Sequence, residues 1–158
     1  MKRFLYLMIF ALPLLAFTSC NDDDDLPDVD FIVDISGATY VDGTIYCVQG
    51  QPFTIDAINV VNNEKGKEAL ITYAEYFWDY MRLGTSGTPP FAFEIYVSEE
   101  AELGNHLLEI YAPVYAVDKS PAFSMMAFNV VVVATPDELP DNGVTSFTFA
   151  PQIKENEN

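Results

Sequence analysis

Apolar and polar residues alternate in short runs along most of the chain, and turn residues separate these runs. The alternation in FIVDI, residues 31–35, places Phe31, Val33 and Ile35 on one face, and residues 91–97 (FAFEIYV) alternate in the same way. Further β-rich runs are GTIYCVQG, QPFTIDAINVV, ALITYAEYFWDY, HLLEIYAPVYAV and FSMMAFNVVVVA. About seven strands at this spacing, with no sustained helical period, predict an all-β sandwich.

A different pattern opens the chain, where Lys2 and Arg3 precede the apolar run FLYLMIFALPLLAF, residues 4–17. A basic head, an apolar stretch and the two small residues that follow are the three parts of a secretory signal. The run is also shorter than the roughly 20 residues that span a membrane. We therefore expect residues 1–19 to be a signal peptide that is removed, with a plain N-terminal membrane anchor as the alternative.

Cys20 stands between this apolar run and four aspartates, Asp22–Asp25. The stretch LLAFTSC resembles a bacterial lipoprotein box, in which the cysteine is lipidated and becomes the first mature residue. The acidic run resembles the export signal of Bacteroidetes surface lipoproteins. These resemblances imply lipidation at Cys20, through which the protein contacts the membrane, and an exposed position on the outer membrane. Residues 20–27 are predicted to form an extended acidic tether, and a linker without an export role is the alternative.

The composition limits what the mature chain can do. Removing residues 1–19 leaves 139 of the 158 residues, enough for one domain, and takes the formal charge from −17 to −19 because Lys2 and Arg3 are lost. This charge excludes nucleic acid as a partner, since affinity for phosphate backbones depends on Lys and Arg. With Cys20 acylated, Cys47 has no disulfide partner and is predicted to be a buried, small hydrophobic residue.

Three stretches together resemble a bacterial immunoglobulin-like module: ITYAEYFWDYMRLGTSGTPPFAFEI, ELGNHLLEIYAPVYAVDKSPAF and SMMAFNVVVV. The resemblance covers residues 28–135 and implies an immunoglobulin-like β-sandwich of the kind used as a non-catalytic spacer or accessory binding unit. Tyr80 follows Asp79 where the family has glycine, so this hairpin turn is expected to be built differently. Residues 136–158 are predicted to form a tail, in which VTSFTFA is a possible extra strand.

Candidate catalytic and metal-binding residues are few. His106 shares a strand face with Leu108 and Ile110, which predicts a structural histidine at the end of the core rather than a catalytic base. One histidine cannot make a His-rich metal motif, and Cys47 has no second cysteine as a zinc partner. The acidic run lacks the turn glycine and spaced ligands of a calcium loop. Glu99, Glu100 and Glu102 are predicted to be solvated turn residues. We therefore expect no cofactor, no metal and no enzymatic activity.

Trp78 alternates in phase with Ala74 and Tyr76, which predicts an aromatic core residue between two sheets; a sugar-stacking platform is the alternative. The same phase argument predicts an apolar outer face on three neighbouring strands, and such patches usually mark interaction sites. The predicted partner-binding residues are Tyr73, Phe77, Leu107, Tyr111, Tyr115 and Met125. This face is expected to be open, and the alternative is a tail that covers it with Phe147 and Phe149.

The sequence therefore predicts a cell-surface lipoprotein that acts in binding or adhesion, or as an accessory subunit in capturing glycan or protein. A homodimer through the apolar face is one further possibility. The alternatives are a structural spacer that pairs with another envelope protein and a hydrolase with an unrecognised site.

Overall fold

The structure is a computed structural model, and it describes residues 25–155. Twelve strands make up nearly all of its regular structure, with one 3₁₀ turn at Pro136–Glu138. The strands are Val29–Ser36 (β1), Ala38–Val41 (β2), Thr44–Val48 (β3), Pro52–Asn62 (β4), Ala69–Ile71 (β5), Ala74–Trp78 (β6), Met81–Ser86 (β7), Phe93–Tyr96 (β8), Gly104–Ala116 (β9), Ala122–Val133 (β10), Ser146–Phe149 (β11) and Gln152–Glu155 (β12).

Two sheets pack face to face. The smaller sheet has the strand order β11-β1-β4-β8, and the larger sheet has the order β2-β3-β10-β9-β6-β7, with β12 beside β10 and β5 beside β9. All pairs are antiparallel except β3 with β10. The predicted all-β sandwich is confirmed. It contains twelve strand segments rather than about seven because several are only three or four residues long.

The core lies between the sheets, and strand alternation determines which residues enter it. Phe31, Val33 and Ile35 of β1 are 0–2% exposed, as the sequence predicted, and the inward positions of β9 and β10 are equally buried. Burying one such side chain stabilises the fold by roughly 1.5–3 kcal/mol. Cys47 is also fully buried, which confirms its predicted role as a small core residue, and burial raises the pKa of its thiol to about 12.

Two polar side chains inside the core have partners. The hydroxyl of Tyr76 donates to the carbonyl of Phe91, and Ser124 Oγ donates to the carbonyl of Ala112 at 2.9 Å. Tyr76 also stacks on Phe93, with ring centroids 4.4 Å apart. Buried polar groups cost stability unless they form hydrogen bonds, and these two hydroxyls bond to backbone carbonyls. These bonds therefore offset the desolvation cost of the two hydroxyls and help to fix the positions of β6 and β10.

The C-terminal residues are part of the sandwich, which continues beyond residue 135. Strand β11 pairs with β1 in the smaller sheet, and β12 pairs with β10 in the larger sheet, so this region supplies two strands where one was expected. Val144 forms a bridge with Tyr40 of β2, which joins the two sheets along one edge. Phe147 is 8% exposed and stacks on Tyr40 at 3.7 Å. The last strands therefore close the core.

The start of the described chain also lies against the sandwich. Asp25 forms an ion pair with Lys119, and its carbonyl accepts the N–H of Ser120. Leu26 lies beside Ile153 of β12, and Pro27 is buried. Residues 25–27 belong to the predicted tether of residues 20–27, and in the structure their ion pair and apolar contacts place them against the domain.

Candidate binding surfaces

The outer face of the larger sheet brings together three of the predicted partner-binding residues. Strands β6, β9 and β10 are neighbours, as expected. Tyr111 of β9 is paired with Met125 of β10 on one side and with Glu75 of β6 on the other. The ring of Phe77 meets Tyr111 edge-on at 5.3 Å. Phe77, Tyr111 and Met125 are half-buried and form the centre of this surface, which we call the outer face.

Polar groups surround this centre. Arg82 Nη2 donates to Glu75 Oε1 at 2.9 Å and to Thr85 Oγ1 at 2.6 Å, so β7 supplies a charged border. The hydroxyl of Tyr111 donates to Glu109 Oε1 at 3.1 Å. Burial, and then the hydrogen bond and charge of Glu109, raise the pKa of Tyr111. The tyrosine therefore stays neutral and presents a polar tip beside an apolar ring.

The other predicted residues lie further from this centre. Leu107 is half-buried at an outward position of β9, four residues before Tyr111. Tyr115 follows at the far end of β9, where it is 42% exposed and paired with Leu70. Tyr73 is half-buried in the bend between β5 and β6. Leu107 extends the outer face, whereas Tyr115 belongs to a groove at the end of the sandwich.

The C-terminal strands do not cover the outer face. The ring centroid of Phe128 lies 5.7 Å from that of Phe147 and 4.6 Å from that of Phe149. Phe128 is a fully buried residue of the core. Both phenylalanines therefore point between the sheets. The alternative in which they cover the outer face is wrong because β11 pairs with β1 on the opposite sheet.

His106 is held by two acceptors at one end of the sandwich. Its Nδ1 lies 2.6 Å from Asp79 Oδ2, and its Nε2 lies 2.8 Å from the carbonyl oxygen of Glu102. Burial lowers the pKa of His106, but the bonds to Asp79 and Glu102 outweigh it, so the pKa is raised overall. Burial likewise opposes the ionised form of Asp79, yet bonds from His106 and the N–H of Leu107 keep its pKa below the ordinary value. The predicted structural role of this histidine fits these bonds.

Trp78 is half-buried beside this pair. Its ring stacks on that of His106, with centroids 5.1 Å apart, and is tilted against the ring of Phe53 in the smaller sheet, with centroids 6.3 Å apart. It therefore packs against the core between the two sheets, as expected. Because neighbouring rings contact it, Trp78 does not present an open platform for a sugar.

The turn between β6 and β7 carries a strained, exposed tyrosine. Asp79 and Tyr80 both have positive φ, at 46° and 67°, which is the conformation of a two-residue type I′ turn. Tyr80 therefore adopts the left-handed conformation at the position of the turn that favours glycine. The tyrosine is 80% exposed, and its side chain extends from the tip of the hairpin. Strained conformations of this kind often occur at functional sites.

The opposite end of the sandwich contains an open groove of about 600 Å³. Its apolar wall consists of four exposed residues from three segments of the chain: Val61, Leu70, Tyr115 and Val117. Of these, the sequence analysis identified only Tyr115. One local signal was available in the sequence, because Val60 and Val61 are consecutive near the end of β4 and only one of two consecutive strand residues can face the core. We call this surface the tether-end groove because its residue Val117 is two residues before Lys119, the ion-pair partner of Asp25.

Ion pairs join the loops around this groove. Lys119 bonds to both Asp25 and Glu64, and Lys67 lies 2.7 Å from Glu64 and 3.9 Å from Asp118. Hydrogen bonds from Lys119 and then Lys67 lower the pKa of Glu64 to about 2, so this carboxylate stays ionised. The pairs connect the start of the described chain, the loop after β4 and the turn after β9.

Neither a metal site nor a membrane-spanning helix is found within residues 25–155. Their His, Cys, Asp and Glu side chains form no group of three or more that could hold a metal ion. No helix in this range is long and apolar enough to cross a bilayer. The predicted lipidation site Cys20 and most of the acidic run lie outside the described residues.

Comparison with known proteins gives little further information. No protein-family model matches the sequence, and no curated protein matches it. One solved structure with some similarity is described as fibronectin(III)-like modules of Clostridium thermocellum CbhA, with 15% identity and a TM-score of 0.36. The match covers 64% of this chain and 98% of that one. A likeness this distant carries no function to the present chain.

Proposed function

We propose that this chain is a non-catalytic binding protein, anchored at the cell surface by lipid on Cys20, whose sandwich captures a protein partner through its outer face. The supporting observation is the composition of that face. An outward sheet surface is commonly polar, yet here Phe77, Tyr111 and Met125 form an apolar centre. Protein interfaces combine such a centre, rich in aromatic residues and methionine, with a polar rim.

A protein partner fits the outer face better than a glycan. Phe77 packs its ring against Tyr111 edge to face, so the aromatic surface is divided between half-buried rings. Trp78, the other candidate for stacking on a sugar, is in contact with His106 and Phe53. The rim supplies both charges, with Arg82 beside Glu75, which suits complementary pairing with another protein.

The absence of catalysis is supported by the state of the two side chains best suited to it. Both ring nitrogens of His106 lie within hydrogen-bond distance of acceptors, so neither is available to take a proton from a substrate. The thiol of Cys47 is fully buried with a raised pKa, whereas a nucleophilic cysteine needs an accessible thiolate.

The lipid anchor is tested separately from partner binding. Cys20→Ser should abolish incorporation of a fatty-acid analogue and release the protein from the membrane fraction. Alanine in place of Asp22–Asp25 should leave the protein anchored but protected from protease added to intact cells. A Cys20→Ser protein that still carries the label would refute the anchor, and unchanged protease access after the alanine substitutions would refute the export role of the acidic run.

Partner binding is tested by a matched pair of substitutions. Tyr111→Lys places a charge in the apolar centre, and the neighbouring Glu75 and Glu109 should let the fold tolerate it. Tyr96→Lys makes the same change on β8 of the smaller sheet, where Tyr96 is 68% exposed. The chain from Cys20 onward is screened against surface-protein and glycan arrays, and Tyr111→Lys should lose the captured ligand while Tyr96→Lys retains it.

The same variants distinguish the alternatives. Loss of a concentration-dependent dimer in Tyr111→Lys would assign the outer face to a second copy of the chain. Retention of a glycan by both variants would place glycan binding elsewhere on the sandwich. Equal behaviour of both variants in every assay would overturn the proposed role of the outer face.

A further inference from the structure

We propose that the tether-end groove rests on the bilayer that holds the acyl chains of Cys20, with its apolar wall against the lipid surface. This inference rests on the proposed function, because it takes the anchor at Cys20 as given. It assigns the groove to a lipid surface and leaves the outer face available for the protein partner.

The exposure of the groove residues is the first argument. Val61 is 40% exposed, Leu70 53%, Tyr115 42% and Val117 53%. They come from β4, β5 and the end of β9, so only the folded chain brings them together. Adjacent exposed apolar groups usually mark a contact surface. Tyrosine, with an apolar ring and a polar tip, is also well suited to the boundary between lipid and water.

The length of the tether is the second argument. Only residues 21–24 separate Cys20 from Asp25, and a fully extended chain covers at most about 18 Å over this distance. Asp25 is fixed to Lys119, two residues after Val117. By contrast, the 13 residues of β9 carry the opposite end of the sandwich roughly 40 Å away. An anchor at Cys20 therefore holds the groove next to the bilayer.

The distribution of positive charge is the third argument. Residues 25–155 contain five lysines and arginines, although the whole chain has a formal charge of −17. Four of them lie around the tether end: Lys65, Lys67, Lys119 and Lys154. Two of them, Lys67 and Lys119, pair with Asp25, Glu64 and Asp118, and this neutralisation reduces the repulsion that those carboxylates would meet at phosphate headgroups. A second anchored copy would turn its own groove towards the same bilayer, so two grooves could not face each other.

Lipid contact can be measured with the anchor supplied chemically. The chain from Cys20 onward is coupled through that cysteine to a maleimide lipid in phosphatidylcholine vesicles. Cys47, with a pKa of about 12 and no exposed surface, should not compete. In a Trp78→Phe background, Val117→Trp places a single tryptophan in the groove. Its emission should be lost in vesicles whose lipids carry bromine on their acyl chains, relative to unbrominated vesicles.

A tryptophan at the opposite end is the matched control. Tyr80→Trp in the same background should keep its emission in both kinds of vesicle. Adding Leu70→Ser to the Val117→Trp protein should weaken the quenching, because the apolar wall is interrupted. Equal quenching at positions 80 and 117, or none at 117, would overturn the inference.

Two further results separate the possible failures. If, without vesicles, position 117 loses access to iodide as the protein concentration rises, the groove binds a second copy and the lipid inference is wrong. Fatty-acid labelling of Cys20 in cells tests the anchor independently of the vesicles. Absent quenching with normal labelling would refute only the lipid contact of the groove, whereas quenching without labelling would refute the natural anchor.

Discussion

The two ends of the sandwich are held together in different ways. At the tether end, formed by residues 25–28, 61–70 and 115–120, ion pairs centred on Lys119 join loops that are distant in sequence. At the distal end, formed by residues 49–51, 79–81 and 98–106, one histidine–aspartate pair fixes a hairpin whose tip is strained. Salt screens exposed ion pairs, whereas backbone strain does not depend on salt.

The two ends also expose different residues. The tether end has an apolar groove and four of the five described lysines and arginines, and its Asp25 is five residues after Cys20 in the sequence. The distal end carries Glu99, Glu100 and Glu102 and presents Tyr80 at 80% exposure. Under the proposed anchoring at Cys20, the tether end would face the lipid, and the distal end and the outer face would stay accessible to a partner.

The substitution with the largest expected effect on stability, Phe147→Ala, tests whether the two ends of the sandwich unfold as one cooperative unit. Phe147→Ala should lower the free energy of unfolding by about 3–5 kcal/mol, as for other large aromatic truncations. The side chain is 8% exposed and contacts both Tyr40 and Phe128. Trp78 fluorescence and far-ultraviolet circular dichroism should report the same urea midpoint. Thr148→Ala, on the same strand at an exposed position, is the control and should change little.

Two separate transitions in that experiment would mean that the ends unfold independently. The comparison between them would then describe two units rather than one domain.

The residues of the core were largely predictable from the sequence. Phe31 and Leu108 were assigned to the inner side by alternation, and the period of two leaves only two choices for each strand. The pairing of β11 with β1 was not predictable, because these segments are more than a hundred residues apart and a local pattern does not specify its partner. For the same reason, Val61, Leu70 and Val117 could not be recognised as one surface.

The hairpin at the distal end shows a second limit of sequence analysis. The replacement of glycine by Tyr80 suggested a different turn, yet both central residues adopt the left-handed conformation. The pairing of β6 with β7, and the bond from the N–H of Leu107 to Asp79, fix the turn more strongly than the preference of tyrosine opposes it. Tertiary contacts therefore override the local preference at this position.

The next largest effect concerns this strain. Tyr80→Gly should stabilise the fold by about 1 kcal/mol, because a side chain in the left-handed region costs roughly 1–2 kcal/mol and the greater freedom of glycine when unfolded returns part of that gain. Tyr80→Ala removes the ring but keeps the strain, so it should be nearly neutral. Urea unfolding of the three proteins measures the difference. Equal stability of the glycine and alanine variants would mean that the turn is not strained.

A smaller effect is expected from the His106–Asp79 pair, and it depends on pH. Because the pKa of His106 is raised in the fold, its stabilisation is complete below the ordinary value of 6.5 and is lost as pH rises through the folded-state pKa. The pKa of Asp79 is lowered in the fold, which sets a limit at low pH: its stabilisation is complete above the ordinary value of 3.8 and is lost as pH falls through the folded-state pKa. The pair should therefore contribute most between these limits.

The measurement compares wild type with His106→Gln at pH 5 and pH 8. Wild type should be more stable by about 1 kcal/mol or less at pH 5, since Asp79 is 43% exposed and solvent screens the pair, and the gap should shrink at pH 8. The Asp79→Asn protein should lose the same pH dependence. A gap that is equal at both pH values would indicate that packing on Trp78, rather than charge, gives His106 its role.

The smallest effect is expected at the tether end, where the ion pairs are near the surface. Hydrogen bonds and charge from Asp25 and then Glu64 raise the pKa of Lys119, so the lysine stays protonated across the physiological range. Lys119→Met should reduce stability at low ionic strength, and the difference from wild type should narrow in 1 M salt, where the screening length falls to about 3 Å. Lys65→Met, on an exposed lysine of the neighbouring loop, is the matched control and should show a smaller difference. If the stability difference between wild type and Lys119→Met persists in 1 M salt, packing of the lysine stem rather than charge holds the tether end. The two ends would then no longer differ in their dependence on salt.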